Sequence, residues 1–412
     1  MPSIETKVAS ALLSVIRERR EEPDGCLPVP DSSPVAPARL REAQFSDFDG
    51  VRELRRRWGL SADSLDNWDR LWRRNPALEQ IRCEPPIGWV LEAEGKVVGY
   101  VGNISLLYHY GDQTLTAVTG SGLVAEPAYR AVSVSLNAAF FCQKSVDLYL
   151  TTTAIEAVGK LAQRFKSVPL PQAEYDSVLF WVLQPHSFAK VLMKKLDLRP
   201  TISPVGGMLT ALAVRTDTIL RRRWPSRNST TLAVKDIGIN EIGDDFQVLW
   251  MQKLKERPRL LADRSPATLR WHFDIPGDRG SARVLCCYKN GELLGYAVIR
   301  HAPPNRVNGL RRSIIADMLA KEDDPAVLRS LWIAAYDHAR KAGSHIFEVL
   351  GFPPSIRRLG AQWHPYLRKY PACPFYYKAA DPTLHNTLSD GRAWYASPFD
   401  GDTTLWSFGT AS

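Results

Sequence analysis

The segment 125–135, which reads AEPAYRAVSVS, has the residue types of a phosphate-binding turn. The apolar stretch at 114–124 is typical of a strand and the apolar spacing after Val132 is typical of a helix, so a tight turn is predicted between them. Such a turn leaves backbone N–H groups unpaired at the helix start, where the helix dipole favours an anion. Arg130 adds a planar cation, and small side chains let a diphosphate approach the backbone. The predicted phosphate-binding residues are Ala125, Arg130, Ala131, Val132, Ser133, Val134 and Ser135.

Ordinary local structure also explains parts of this pattern. The serines suit a helix N-cap, and Arg130 suits an exposed surface, without any ligand. Thr152 and Thr153 follow a predicted strand at 146–150 and are placed to hydrogen-bond a donor or an acceptor. Threonine is equally common within strands and at helix starts, so local structure is an alternative explanation for this pair.

Two carboxylates interrupt apolar strands in the second half of the chain. Asp317 lies within a predicted strand at 313–319 and Glu348 within another at 346–350. If the two strands are adjacent and parallel, the carboxylates converge in a cleft that suits a cationic amine or sugar hydroxyls. Alternation along the strands would instead turn them to solvent, or pair them with Arg357.

Composition limits the classes of protein to which the chain can belong. Its 412 residues suit two or three domains, and a hydrophobic content of 45% is that of a packed globular chain. The net charge of +9 favours anionic partners such as CoA phosphates, nucleotides, nucleic acid or acidic membranes, or serves solubility alone. The six cysteines are scattered without a CxxC pair, so we expect no zinc site, reduced thiols and a cytoplasmic location. No run approaches the roughly twenty apolar residues that span a bilayer, and no secretion signal is expected.

A proline-rich linker separates an N-terminal helix from the folded part of the chain. Apolar residues at helical spacing predict an amphipathic helix at 4–20, which suits packing, partner docking or a membrane surface. Five prolines make 21–38 a linker. The predicted elements that follow are strands at 39–42, 89–92, 97–105, 114–124, 146–150, 283–288, 293–300, 313–319 and 346–350, and helices ending at Arg57, 64–74, 132–143, 244–255, 265–273 and 325–341.

The two halves of the chain show an internal repeat. GKVVGY at 95–100 corresponds to GELLGY at 291–296, and both read as a turn glycine followed by a strand with a glycine before an aromatic residue. A helix rich in Trp and Phe precedes each, and a further helix begins about thirty residues later in both halves. The connector around 200–231 contains the basic run Arg221-Arg222-Arg223, which is read as solvated or as contacting an anion.

The order of two helices, a hairpin, a long strand, a helix and a strand resembles the GCN5-related N-acetyltransferase superfamily, over roughly 39–200 and 232–380. The segment 125–135 carries the most specific resemblance. The family has a basic or amide residue where this chain has Arg130, and small residues, most often glycines, where it has Ser133 and Ser135. The resemblance implies an acyl-CoA donor at this turn. In the second half the corresponding turn is KEDDP at 321–325, whose three carboxylates would repel a diphosphate, so only the first half is expected to bind CoA.

The resemblance also implies which residues take part in catalysis. An amine must lose a proton before it attacks a thioester, so a carboxylate is expected as the base. The candidates are Glu126, Glu156 and Glu174, of which Glu174 precedes a run at 178–183 that fits the family's late hairpin beside the acceptor. The family's usual proton-donating Tyr falls near Ala162 here, which is compatible with proton return from solvent or with an inactive domain.

We therefore expect an α/β fold of mixed sheets with two tandem acyl-CoA N-acyltransferase-like domains, at 39–222 and 223–412 after a leader at 1–38. The expected function is N-acyl transfer, in particular of acetyl, from CoA or a carrier-protein thioester to a small amine such as an amino sugar or amino acid. Neither a metal nor DNA is expected as a ligand. The alternatives are a non-catalytic binding module of this fold and an aminoacyl-tRNA-dependent transferase.

Overall fold

The structure is a computed structural model that describes residues 36–60, 63–195, 203–226, 232–278, 280–370 and 374–407. The predicted helix at 4–20 and all but the last residues of the linker at 21–38 lie outside this part of the chain. Within it, no helix is long and apolar enough to cross a membrane.

Fifteen strands and eleven helices make up the described part of the chain. The strands are β1 (Arg39–Glu42), β2 (Gly88–Ala93), β3 (Lys96–Tyr110), β4 (Gln113–Ala125), β5 (Leu148–Thr151), β6 (Val168–Pro169), β7 (Ser177–Val182), β8 (Val234–Ile237), β9 (Leu260–Ala262), β10 (Ala282–Lys289), β11 (Glu292–His301), β12 (Arg312–Ala320), β13 (Ile346–Leu350), β14 (Tyr366–Lys369) and β15 (Tyr376–Ala379). The helices are α1 (Phe48–Arg57), α2 (Leu65–Trp72), α3 (Val134–Phe141), α4 (Glu156–Arg164), α5 (Pro185–Lys195), α6 (Ser203–Leu220), α7 (Asp244–Leu254), α8 (Pro266–Phe273), α9 (Pro325–Lys341), α10 (Pro354–Ala361) and α11 (Pro382–Leu388).

The chain divides into two compact units, each built from separate stretches of sequence. Unit A comprises the described parts of Gly25–Ala173, Ile239–Arg279 and Pro371–Ser412, and unit B comprises those of Glu174–Gly238 and Gly280–Tyr370. The contiguous ranges 39–222 and 223–412 expected above differ from these units. The ranges 39–222 and 223–412 stay a prediction for where each copy of the internal repeat begins and ends along the sequence.

Both units contain one mixed sheet with the same pattern of strand directions. The sheet of unit A has the order β1-β2-β3-β4-β5-β15-β6, with β9 added on β3, and the sheet of unit B has the order β8-β10-β11-β12-β13-β7-β14. In each sheet the fourth and fifth strands are parallel, and every other pair is antiparallel.

The sixth position of each sheet is taken by a strand from the other half of the sequence. In unit A it is β15, which pairs with β5 and β6, and in unit B it is β7, which pairs with β13 and β14. The run at 178–183 was expected to form a late hairpin in the first half, but β7 pairs in unit B instead. This exchange is why the compact units do not follow the sequence order.

The core of unit A forms where helix α3 covers its sheet. Leu136 and Phe140 of α3 are at most 2% exposed and pack with Leu91 and Val118 of the strands. In unit B, helices α5 and α6 cover β7 and β13, and Phe188 and Val214 are almost fully buried there. Burying a side chain of this size contributes about 1.5–3 kcal/mol, so these helices are held mainly by packing.

Candidate donor and acceptor site

The parallel pair β4 and β5 separates partway along its length. The two strands are paired only from Ala117 to Thr119, opposite Leu148–Leu150, while β4 continues six residues further to Ala125. A bulge at Gly122, whose φ is +64°, bends β4 in this stretch. The Thr119 hydroxyl lies at the separation and has no hydrogen-bond partner among the described residues. From residue 120 to Ala125, β4 therefore presents a backbone edge that β5 does not pair.

The predicted phosphate-binding turn follows directly after β4, but most of its amides are already bonded. The amides of Val132 and Ser133 donate to the carbonyl of Tyr129 at 3.1 and 3.0 Å, and the amide of Ser135 donates to the carbonyl of Val132 at 2.9 Å. The turn is a series of short helical turns that lead into α3. Three of the five backbone amides at 131–135, which were expected to bind phosphate, therefore bond to the backbone instead of pointing at one vacant spot.

The side chains of this turn divide into two groups. The hydroxyls of Ser133 and Ser135 each donate to a backbone carbonyl three residues earlier, at 2.7 Å, which closes the local turns. Arg130 is exposed, and within the described part of the chain its guanidinium forms no ion pair. The amides of Ala131 and Val134 likewise have no hydrogen bond among those described. The groups available to a ligand are thus Arg130 and these two amides.

The three candidate bases lie on different elements. Glu126 lies at the end of β4, where it pairs with Arg57 at 2.8 Å. Glu156 is 71% exposed at the start of α4, and the ion pair with Lys160 lowers the pKa of its carboxyl. Glu174 belongs to unit B.

Glu174 has a local structural role in unit B. Its φ of +60° places it in a tight turn before β7, and its carboxylate pairs with the buried Arg357 at 3.4 Å. Arg357 also donates to the carbonyls of Ser177 and Gly351. Arg357 was one expected partner for the strand carboxylates, and the structure pairs it with Glu174.

Thr152 and Thr153 bind a carboxylate from the C-terminal tail at the end of β5. The Thr152 hydroxyl donates to Asp402 at 2.8 Å, the Asp402 amide donates back to Thr152 at 3.0 Å, and the Thr153 hydroxyl donates to Asp402 at 3.3 Å. Asp402 is 4% exposed, and burial raises the pKa of its carboxyl despite these bonds and one from Trp406. Sequence reasoning missed Asp402 as a partner of this threonine pair.

A second aspartate of the tail is anchored on β3. Tyr108 donates to Asp400 at 2.9 Å, and the Ser397 amide donates to the same carboxylate at 2.8 Å. Burial and Asp400 raise the pKa of Tyr108 well above its usual range, so its hydroxyl stays protonated. The sequence signal was an Asp-Gly-Asp triplet in an apolar tail, whose glycine, Gly401, has a φ of +65°.

A small recess of unit A adjoins this tail. Its volume of about 10 Å³ is roughly what one water molecule needs, so it does not accommodate an amine substrate. Burial raises the pKa of Asp263 there, but hydrogen bonds from His109, Thr268 and Ser265 outweigh it and hold the pKa below its ordinary value. The recess is lined in part by Asn75, Tyr108, Asp263, Thr268, His272 and Phe399.

Asp317 and Glu348 lie on one face of the unit B sheet. Glu348 is opposite Ile314 on the neighbouring parallel strand, and Ile314 is opposite Arg300 on β11. A bulge in β12 places Asp317 opposite Val298, which has the same orientation as Arg300 because residues two apart on a strand share a face. The two carboxylates therefore share a face of the sheet.

Both carboxylates are buried and have partners within unit B. Asp317 is 0% exposed and accepts a hydrogen bond from Tyr296 at 2.9 Å. Glu348 is 3% exposed and pairs with Arg368 at 3.1 Å and with Arg312 at 3.7 Å. The two guanidinium groups compensate the negative charge of Glu348 within the protein. A role in binding a substrate amine stays a prediction for both residues.

The turn of unit B that corresponds to the phosphate-binding turn is capped by the protein itself. The carboxylate of Asp324 accepts hydrogen bonds from the amides of Ala326 and Val327 at 2.7 and 3.3 Å, at the start of α9. A carboxylate at this position takes the place that an anionic ligand would occupy. Lys321 pairs with Glu292 at 2.7 Å, so the basic residue of this turn is engaged as well.

The sequence matches no family model and no curated protein. In structure, the chain is similar to a protein of Enterococcus faecalis V583 described as a probable N-acyltransferase, with a TM-score of 0.50 and 9% identity over 83% of this chain and 73% of that chain.

Two further solved structures align at a TM-score of 0.49, too low to carry the fold assignment. One is a GCN5-related N-acetyltransferase from Anabaena variabilis ATCC 29413, with 11% identity over 84% of this chain and 73% of that chain. The other is Saccharomyces cerevisiae N-myristoyltransferase with bound myristoyl-CoA, with 12% identity over 85% of this chain and 81% of that chain.

The mixed sheets and the strand order agree with the fold expected from the sequence. Identities of this size establish a fold and leave the activity open. The mixed α/β fold predicted from the sequence is confirmed, and the chain shares this fold with the Enterococcus faecalis protein described as a probable N-acyltransferase.

Proposed function

We propose that the chain is an N-acyltransferase that moves an acyl group from a CoA or carrier-protein thioester to a small amine, and that unit A binds the donor. The observation that carries this proposal is the separation of β4 from β5 after Thr119 and Leu150. The unpaired edge of β4 can hydrogen-bond an extended ligand in the manner of an added strand. A pantetheine arm has amide groups that suit such an edge.

Arg130 and the turn after β4 are proposed to bind the phosphates of the donor. Arg130 is exposed and follows the unpaired edge of β4 in the chain, and its guanidinium suits a phosphate oxygen. The amides of Ala131 and Val134 add two donors at the start of α3. In unit B the equivalent amides bind Asp324, so that unit is proposed not to bind a donor.

In the proposed reaction the amine nitrogen attacks the thioester carbonyl carbon. The C–N bond forms, the C–S bond breaks, and the amine proton passes to a base while the thiolate receives a proton from solvent. Of the three glutamates we favour Glu126 as the base, because it directly follows the last residue of β4. Glu156 is 71% exposed at a helix start away from the end of β4 in the chain, and Glu174 lies in unit B.

The bonded amides of Val132, Ser133 and Ser135 favour a second candidate function, a non-catalytic binding module of the same fold. A diphosphate would have only two amides and Arg130 in this turn unless the local turns open. The buried Ala162, where the family's proton donor is expected, agrees with the same alternative.

Thermal unfolding with acetyl-CoA, longer acyl-CoAs and free CoA tests donor binding. A ligand present at 100 times its Kd stabilises the folded state by about 2.7 kcal/mol, so a measurable rise in Tm is expected for at least one of them. Arg130→Ala should reduce this rise, whereas Arg39→Ala, which removes another exposed arginine of unit A, and Asp324→Ala should not. Equal loss in Arg130→Ala and Asp324→Ala would contradict the assignment of the donor to unit A.

Turnover distinguishes the enzyme from the binding module. If an acyl-CoA raises Tm, a screen of amines for release of free CoA thiol should find an acceptor, and mass spectrometry of co-purifying small molecules narrows that screen. Glu126→Gln should then lower kcat by about 10²–10⁴-fold while the acyl-CoA still raises Tm. Binding of the donor without thiol release with any amine would support the module.

A further inference from the structure

Helix α6 of unit B exposes an unusual number of large apolar side chains. Sixteen large hydrophobic residues are exposed across the described part of the chain, and five of them lie within thirteen residues of this helix. Each is between 56% and 77% exposed, well beyond the accessibility of a residue at the edge of a core. These residues, called here the α6 apolar face, are Met208, Leu209, Leu212, Ile219 and Leu220.

The α6 apolar face is separate from the side of the helix that packs on unit B. With 3.6 residues per turn, the five side chains fall within an arc of about 120°. Val214, on the other side, is 1% exposed and packs with Phe188 and Leu192 of α5. The core of unit B therefore accounts for the inner side of α6 and leaves the outer side unexplained.

The C-terminal end of α6 is held firmly on unit B. Asp217 accepts hydrogen bonds from Tyr366 at 2.5 Å and from Arg223 at 2.6 Å. Arg223 also stacks over the Tyr366 ring at 4.1 Å. The apolar face is thus presented by an anchored helix and not by a fraying segment.

The exposed charged groups of α6 and of the residues directly after it are basic. Arg215 is exposed on the same side of the helix and Arg222 is exposed at its C-terminal end, where Arg221 is also exposed but pairs with Asp217 at 2.9 Å. Trp224, which follows them, is 39% exposed. Asp217, the one acidic residue of α6, is on the opposite side and is paired. Apolar side chains, a tryptophan and flanking arginines are the groups that bind the interface of an anionic lipid bilayer.

We propose that the α6 apolar face docks unit B on a membrane surface that contains anionic lipids. The helix of 18 residues lies in the plane of the interface, with its leucines, methionine and isoleucine below the headgroups and its arginines against lipid phosphates. A protein partner would account for the apolar residues alone. The basic flank without an exposed acidic residue on this face is what favours the lipid surface.

Sedimentation of the full chain with lipid vesicles tests this proposal. Vesicles of phosphatidylcholine with about 30% phosphatidylserine should bind the protein at least about tenfold more strongly than vesicles of phosphatidylcholine alone. The double variant Leu209→Glu/Leu220→Glu should lose most of this binding. The change of Arg215 and Arg222 to Gln should weaken binding to the anionic vesicles by about fivefold per arginine.

A matched control is available in the same unit. Val307 and Leu367 are 70% and 59% exposed but lie outside α6, so Val307→Glu/Leu367→Glu adds the same charge and should bind vesicles like the unchanged protein. Circular dichroism and Tm should be unchanged in both double variants, because the substituted side chains are exposed. Three outcomes would overturn the proposal: no binding to either vesicle, equal binding by both double variants, or loss of a concentration-dependent dimer in the α6 variant without vesicle binding.

Discussion

At the residue scale, the carboxyl of Asp402 is buried at the end of β5. It accepts hydrogen bonds from Thr152, Thr153 and Trp406. Burial nevertheless raises its pKa above the ordinary 3.8, because the free-energy cost of burying the charge exceeds the stabilisation that these hydrogen bonds give to the carboxylate.

The stability of the protein should therefore depend on the charge of Asp402. With a raised pKa, the folded chain binds more protons than the unfolded chain above about pH 3.8, so the free energy of unfolding falls as the pH rises through that window. Asp402→Asn should remove this part of the fall, measured by urea unfolding across the window. An unaltered pH profile in Asp402→Asn would contradict the raised pKa.

The pH dependence of stability expected from His301 in unit B has the opposite sign to that expected from Asp402. Its ring is hydrogen-bonded to Ser313 at 2.6 Å and to His338 at 3.0 Å. Burial, with a smaller effect from His338, lowers the pKa of His301 to about 4 from the ordinary 6.5. The unfolded chain then binds more protons between these values, so the free energy of unfolding falls as the pH falls from about 6.5 toward 4.

His301→Asn should flatten that acid-side fall, since asparagine at this position has no ring that must stay neutral on folding. The variant also loses hydrogen bonds, so its stability at neutral pH should be lower by about 1 kcal/mol or more. His364→Asn is the control, because His364 is exposed and has a φ of +48° that asparagine tolerates. A curve for His301→Asn that is shifted down without a change in its slope would count against the lowered pKa.

At the element scale, the contact between the C-terminal tail and β5 depends on Gly401. This residue has a φ of +65°, and a Cβ there would lie 2.3 Å from the Thr152 hydroxyl. Gly111, in the turn between β3 and β4, has a similar φ of +58° but open space around the same position. Comparing alanine substitutions at Gly401 and Gly111 therefore separates the destabilisation caused by backbone strain from that caused by a steric clash.

Gly111→Ala should lower the free energy of unfolding by about 1–2 kcal/mol through strain alone. Gly401→Ala should cost about 1–3 kcal/mol more than that, because the tail must move away from Thr152. Hydrogen exchange should show faster exchange of the amide of Asp402 in Gly401→Ala only. Equal losses of stability in the two variants would mean that the tail is not packed against β5 as described.

At the scale of the whole molecule, the exchange of β7 and β15 ties the two halves of the sequence together. A chain of residues 39–222 lacks β9 and β15, so β5 and β6 lose the strand between them. A chain of residues 223–412 lacks β7, the strand that lies between β13 and β14 and pairs with both. Each half alone would expose unpaired strand edges and part of its core.

We therefore expect neither half to fold by itself, whereas co-expression of the two should restore a soluble complex with the exchanged strands in place. Circular dichroism and denaturant unfolding of each half alone should show no cooperative transition. A cooperative transition in either isolated half would show that the contiguous ranges are independent domains and that the exchange is dispensable.

The sequence by itself determined the local elements. The glycines at 95 and 291 have φ of +73° and +83° at the two hairpin turns, as the repeat predicted, because only glycine adopts such angles without strain. Helix α9 and strand β13 run over 325–341 and 346–350, the predicted ranges, since a cap, an apolar stripe and a following glycine are all local signals. These patterns also indicated the α/β fold class.

Only the tertiary structure decided which elements meet. The sequence holds no signal for β7 pairing in unit B or β15 in unit A, because a strand's pattern states that it has a partner and not which one. The separation of β4 from β5 and the burial of Asp402 against Thr152 are likewise products of chain segments far apart in sequence. The turn after β4 shows the same limit on a small scale, because its composition suits a phosphate while its amides bond to neighbouring carbonyls.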